Sequence, residues 1–204
     1  MPSNISAAVR QYWAGLRVLV VLTIILGVLY PLVVLGIGQL FFRAQANGSM
    51  VSSGGHVVGS SLLGQSFSDD KGNPLPQWFQ PRPSAAGASG YDPTASSASN
   101  LGPENPTLIQ AIKDRRKAIA SFDDVTAGSV PPDAVTASGS GLDPDISPAY
   151  AYQQVDRVAK ARGLDPAQVH ALVASHIHGR DLGFLGEQTV NVLELNIALA
   201  QMGG

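Results

Sequence analysis

VLVVLTIILGVLYPLVVLGIGQLFF, residues 18–42, runs for 25 positions without a charged side chain. The hydrocarbon core of a bilayer is about 30 Å thick and takes roughly 20 apolar helical residues to cross. Only a helix satisfies its own backbone there. The stretch therefore predicts one transmembrane helix, bounded by Arg17 and Arg43 and assigned to 17–43. Residues 1–16 then form a cytoplasmic N-terminal arm, and residues 44–204 one extracytoplasmic α+β domain with much irregular loop. Tyr12, Trp13, Phe41 and Phe42 stand where interfacial aromatics belong. Within the run, Pro31 should kink the helix or mark a packing site, and Gly27, Gly36 and Gly38 allow close approach of another helix. The rest of the span meets lipid. Ala44-Gln45-Ala46 has the small-x-small form of a signal cleavage site. An h-region is only about 7–15 residues, however, so a retained anchor is the better reading.

Basic residues set the orientation. Arg10 and Arg17 precede the span, whereas only Arg43 follows it before Lys71, which favours an inside N-terminus and an outside C-terminal domain. Downstream of Arg43 lie ten basic and all fifteen acidic residues, a net charge of −5. Such a domain is a poor match for nucleic acid. The chain has no cysteine, which excludes disulfides, thiolate catalysis and cysteine-held metal centres.

The downstream segment divides by composition. Eleven of the fourteen prolines fall between Pro74 and Pro148, and the stretch 84–105 reads as a long loop. Pro106 opens a helix to about Ala120; Ser147-Pro148 opens another to Arg162, stopped by Gly163. Asp165-Pro166 starts a helix to about His176. A last helix covers 192–202, with Leu193, Ile197 and Ala200 sharing a face. Short strands are expected at 56–59, at 78–80 and around Val190.

No catalytic constellation emerges. His176 and His178 are two apart, so on a helix they diverge, and zinc spacings are missing. The 137–141 stretch Ala-Ser-Gly-Ser-Gly is neither a phosphate-binding loop nor a nucleophile elbow. Gln153, Arg157 and Lys160 share one polar helix face, read as solvated, opposite Tyr152, Val155 and Ala159.

Seven segments in order nevertheless form a specific set. They are Leu62-Leu63-Gly64-Gln65 with Phe67, then 78–84 (WFQPRPS), 99–103 (SNLGP), 135–144 (VTASGSGLDP), Ile146-Ser147-Pro148, Arg157-Val158-Ala159 and 190–196 (VNVLELN). Together they resemble the C subunit of the bacterial potassium-transporting Kdp ATPase over nearly the whole chain. Ser97-Ala98 departs from the glycines that family often carries before Ser-Asn-Leu. The resemblance implies a non-catalytic accessory subunit of the inner membrane. Its partners would be a channel-like A subunit, an ATP-hydrolysing B subunit and a small F subunit. It would have no cofactor of its own, with ATP entering only at the level of the complex. The family's catalytic-chaperone role implies a raised ATP affinity of the B subunit, with Gln153 as the nucleotide contact. Gln80, Arg82, Asn100, Ser140, Asp143 and Arg157, with Gly27, Pro31, Gly36 and Gly38 in the span, are the expected partner-facing residues. A membrane-anchored extracytoplasmic hydrolase and a solute-binding or sensor module are the alternatives.

Overall fold

The computed structural model describes residues 3–202, so Met1 and Pro2 of the arm and Gly203 and Gly204 of the domain lie outside the described residues. Two compact units divide between Ser49 and Met50.

The first unit is helical from Ser3. α1 (Ser3–Ile24) and α2 (Tyr30–Phe41) flank a π-helical turn at Ile25–Leu29. Ala7–Phe41 is long and apolar enough to cross a membrane, with a mean hydropathy of 2.9 in its most apolar window and none of that window buried. The predicted arm is thus continuous with the span as helix. Pro31 has no N–H to offer the preceding turn, and the π turn sits directly before it, closed by Tyr30 N–H donating to Ile25 O. After Phe42, α3 (Arg43–Ala46) folds back. Asn47 exchanges amide hydrogen bonds with Gln39 at 3.1 and 3.3 Å.

The second unit mixes helix and sheet. β1 (Met50–Ser53) and β2 (His56–Ser60) form an antiparallel hairpin. Its turn is Gly54-Gly55 at φ +59° and +82°, the pairing of positive φ values that a two-residue hairpin of this twist needs. Residues 61–105 contain no regular element. α4 (Pro106–Asp123) is capped by Asn105, whose side chain accepts from Thr107 N–H, and ends three residues later than expected, at left-handed Asp124. α5 (Pro132–Val135) and β3 (Asp145–Ile146) follow. The helix expected over 148–162 is two helices, α6 (Pro148–Gln153) and α7 (Val155–Arg162), separated at Gln154. Ser147 caps the first and left-handed Gly163 ends the second, as their residue types foretold. α8 (Pro166–Ser175), capped by Asp165, leads into β4 (Ile177–His178), then β5 (Thr189–Asn191) and α9 (Val192–Met202). The sheet order is β3-β5-β4, all antiparallel, so Val190 is a central strand residue facing Ile146 and Ile177.

The core is built from Phe79, Ile146, Val158, Val169, Val173, Val190, Leu195 and Leu199. On α9 the packed face is Val192, Leu195, Asn196 and Leu199, spaced i, i+3, i+4, i+7. Of the predicted face, Leu193 is buried as well, Ile197 is half-buried and Ala200 is exposed.

Candidate interaction site

The segment 78–80 is apolar and aromatic enough to suggest a strand, yet no strand pairs with it. Two buried amide side chains take the place of a neighbouring strand. Asn196 Oδ1 accepts from Phe79 N–H at 2.9 Å, and its Nδ2 donates to Phe79 O at 3.0 Å. Gln154 repeats the pattern on Gln80, accepting from N–H at 2.7 Å and donating to O at 3.1 Å. This satisfies backbone groups that would be costly if buried alone. It lets Phe79 sit fully buried without a ladder. The Gln80 side chain turns inward too, donating to Phe67 O and Leu75 O.

Arg157 extends this network, and here the sequence reading of a solvated face is corrected. The Arg157 side chain is 6% exposed and its partner Asp123 is 1% exposed, with Nε donating to Oδ1 at 2.7 Å. Arg157 Nη1 donates to Pro76 O and Trp78 O, Nη2 donates to Gln154 Oε1, and the guanidinium lies 4.4 Å from the Phe122 ring centroid. A charge is tolerated inside because every one of its nitrogens is engaged. Gln153 is drawn in as well: its Nε2 donates to Asp123 Oδ2 at 2.7 Å, while its Oε1 is buried without a partner. Lys160 alone of the three is exposed. Arg162 bonds Gln77 O and covers the Trp78 ring, and burial lowers its pKa.

The loops form a second cluster. Arg82 Nη1 pairs with Asp143 Oδ2 at 2.7 Å. Tyr91 O–H donates to Arg82 O, and Ser84 Oγ accepts from Tyr91 N–H while donating to Gly141 O. Burial, then the charge of Asp143, pushes the Tyr91 hydroxyl well above its usual pKa. Ser140 O receives both Ser97 N–H and Ser96 O–H. Gly141, at φ +69°, permits this junction: a Cβ there would come within 2.6 Å of Ser97 O. Behind it, Asp145 titrates above the ordinary carboxylate range, chiefly through burial and then through neighbouring Asp143. Ser140 and Asn100 are exposed, Asn100 at φ +51°. The 84–105 loop is thus stapled to the 136–144 loop, leaving Asn100 and Ser140 outward.

In the first unit, a Cβ on Gly36 would meet nothing within 4 Å. On Gly27 it would meet Thr23 at 3.9 Å, and on Gly38 Ala46 at 3.6 Å. Gly36 therefore offers the open approach, whereas Gly38 faces the chain's own turn.

The histidines are separated in role. His170 stacks on Tyr152 at 4.4 Å, His176 Nδ1 lies 2.9 Å from Leu172 O, and His178 Nε2 lies 3.7 Å from Glu194. Among the described residues no three metal-ligating side chains gather. Asp123, Gln154 and Asn196 were missed as key residues. Their signal was phase: Gln154 and Asn196 occupy positions in register with apolar neighbours on their helices.

Comparison with known proteins bears on the whole of this arrangement. Residues 12–201 match the family described as "K+-transporting ATPase, c chain". A protein of Kineococcus radiotolerans named "Potassium-transporting ATPase KdpC subunit" is 57% identical over 190 residues, 93% of each chain. Proteins of the same name are 49% identical in Mycobacterium bovis, covering 95% of this chain and 99% of that one, and 52% identical in Variovorax paradoxus, covering 87% and 89%. With the match running from the apolar helix through α9, the chain belongs to the family of potassium-transporting ATPase C subunits.

Proposed function

We propose that this chain is a membrane-anchored accessory subunit of an ATP-driven potassium uptake complex and performs no covalent chemistry itself. The observation that carries the reading is the near full-length match to subunits named for that complex, from residue 12 to residue 201. The helix Ala7–Phe41 is the anchor, in a bacterial inner membrane, with Gly36 as its open packing position. The basic residues before the span favour a domain on the outer side. Its partners are the potassium-carrying A subunit, the ATP-hydrolysing B subunit and the small F subunit.

On this reading the domain contributes a rigid surface, with Asn100 and Ser140 presented by the stapled loops. Arg82, Asp143, Gln80 and Arg157 hold that surface in place from behind. The chain raises the ATP affinity of the B subunit through assembly. Gln153 supports the fold through its amide nitrogen on Asp123, and a direct nucleotide contact by this residue is left to the ATP dependence of its alanine variant. Purification of the tagged chain from native membranes in mild detergent tests the proposal. The A and B subunits should come with it in fixed proportion, and recovery of the chain alone under conditions that keep A and B together would refute it.

A further inference from the structure

Beside the stapled loops, α4 and α6 form a cavity of about 320 Å³ with the 80–91 segment. That is at the small end of ligand pockets. Its wall is mostly apolar, with Phe122, Ile119 and Pro83 among the lining residues. Serine hydroxyls, Gln80, Arg82 and Tyr91 interrupt that wall, as do two groups with donors to offer a ligand.

Tyr150 lines the cavity and is only 3% exposed, yet its hydroxyl makes no hydrogen bond to any described residue. The hydroxyl is open to the cavity, where a ligand can reach it. Burial, reinforced by Asp123, raises its pKa, so the group is a neutral donor. Arg115 lines the same wall. Its Nη1 donates to Val135 O at 3.1 Å, and among the described residues no carboxylate pairs with it. No acidic residue lines the cavity, and the other guanidinium there, Arg82, is neutralised by Asp143.

We propose that this cavity binds a small organic monoanion, an apolar body bearing one carboxylate, with Arg115 pairing the carboxylate and Tyr150 donating a hydrogen bond to it. One guanidinium without a carboxylate partner, in a wall that also offers the Tyr150 hydroxyl, suits a carboxylate, which a guanidinium fork matches in shape. A phosphate dianion would leave one negative charge unmatched, since Arg115 is the one lining guanidinium without a carboxylate partner among the described residues.

The probe is 4-fluorophenylacetate, followed by ¹⁹F line broadening on the full chain in detergent micelles. Saturable broadening is expected, displaced by unlabelled phenylacetate and not by 4-methylbenzyl alcohol, which separates binding from micelle partition. Arg115→Gln should weaken binding by about tenfold or more, and Tyr150→Phe by about threefold. Because Arg115→Gln also removes the bond to Val135 O, the near-isosteric Tyr150→Phe decides the matter if the first variant misfolds. Non-saturable broadening, equal affinity in wild type and Tyr150→Phe, or tighter binding of phenyl phosphate than of phenylacetate would each overturn the proposal, leaving a cavity that holds only water.

Discussion

Two ion pairs in the second unit have the same 2.7 Å separation and opposite settings. Arg157–Asp123 is 6% and 1% exposed, whereas Arg82–Asp143 is 23% and 29% exposed. The first lies where water cannot replace a lost partner, and its guanidinium also bonds the backbone at Pro76 and Trp78. The second ties two loops together within reach of solvent. Geometry alone would rank them equal. Burial separates them, because removing one member of a buried pair strands a charge in a medium that solvates it poorly. Arg157 thus belongs to the frame of the domain, and Arg82 to the fastening of its loop surface.

The contrast is sharpest for Asp123→Ala, which should lower the stability of the chain by about 3–5 kcal/mol in thermal or denaturant unfolding. A loss near that of a surface pair would erase the distinction. Next comes Gly141→Ala. The left-handed backbone and the 2.6 Å approach to Ser97 O should together cost about 1–3 kcal/mol. Limited proteolysis should then cut within 84–100 before the helices open. Equal resistance to wild type would show that the staple is dispensable. Arg82→Ala should cost about 1 kcal/mol or less, since both members of its pair reach solvent. Its larger effect should be on recovery of the assembled complex. Unfolding of the whole domain by this change would move Arg82 into the frame beside Arg157. The smallest effect on the working of the complex is expected of Gln153→Ala. It strips buried Asp123 Oδ2 of its partner, a stability cost of about 1–3 kcal/mol, offset in part by loss of a buried oxygen that has no partner. The ATP dependence of the complex should be unchanged. A raised Michaelis constant for ATP in a fully assembled complex would restore Gln153 as a nucleotide contact.

Local chemistry was legible where one residue type dictates one conformation. The apolar run at 18–42, the caps at Ser147 and Asp165 and the stop at Gly163 all act through their own backbone. So they read directly. Partners distant in sequence did not. Arg157 looks like a surface residue until Asp123, 34 positions away, is brought beside it. The 78–80 segment has strand composition, but its hydrogen bonds come from Gln154 and Asn196, up to 117 residues away. Spacing along one helix cannot reveal that. The break at Gln154 was hidden for the same reason: nothing in its local propensity forbids one continuous helix, and the interruption accompanies the inward turn of its side chain to Gln80. Among the expected partner-facing residues, Asn100 and Ser140 point outward, whereas Gln80 and Arg157 are buried. A sequence resemblance marks such residues as alike; only packing divides those that form a surface from those that support it.

An accessory subunit is recognised by what its partners lose without it. The direct measurement is potassium-stimulated ATP hydrolysis by the partner subunits in lipid vesicles, with and without this chain. Addition of the full chain should restore hydrolysis and potassium uptake together, while the chain by itself hydrolyses no ATP. Full activity of the other subunits in its absence, or ATP hydrolysis by the isolated chain, would contradict the account.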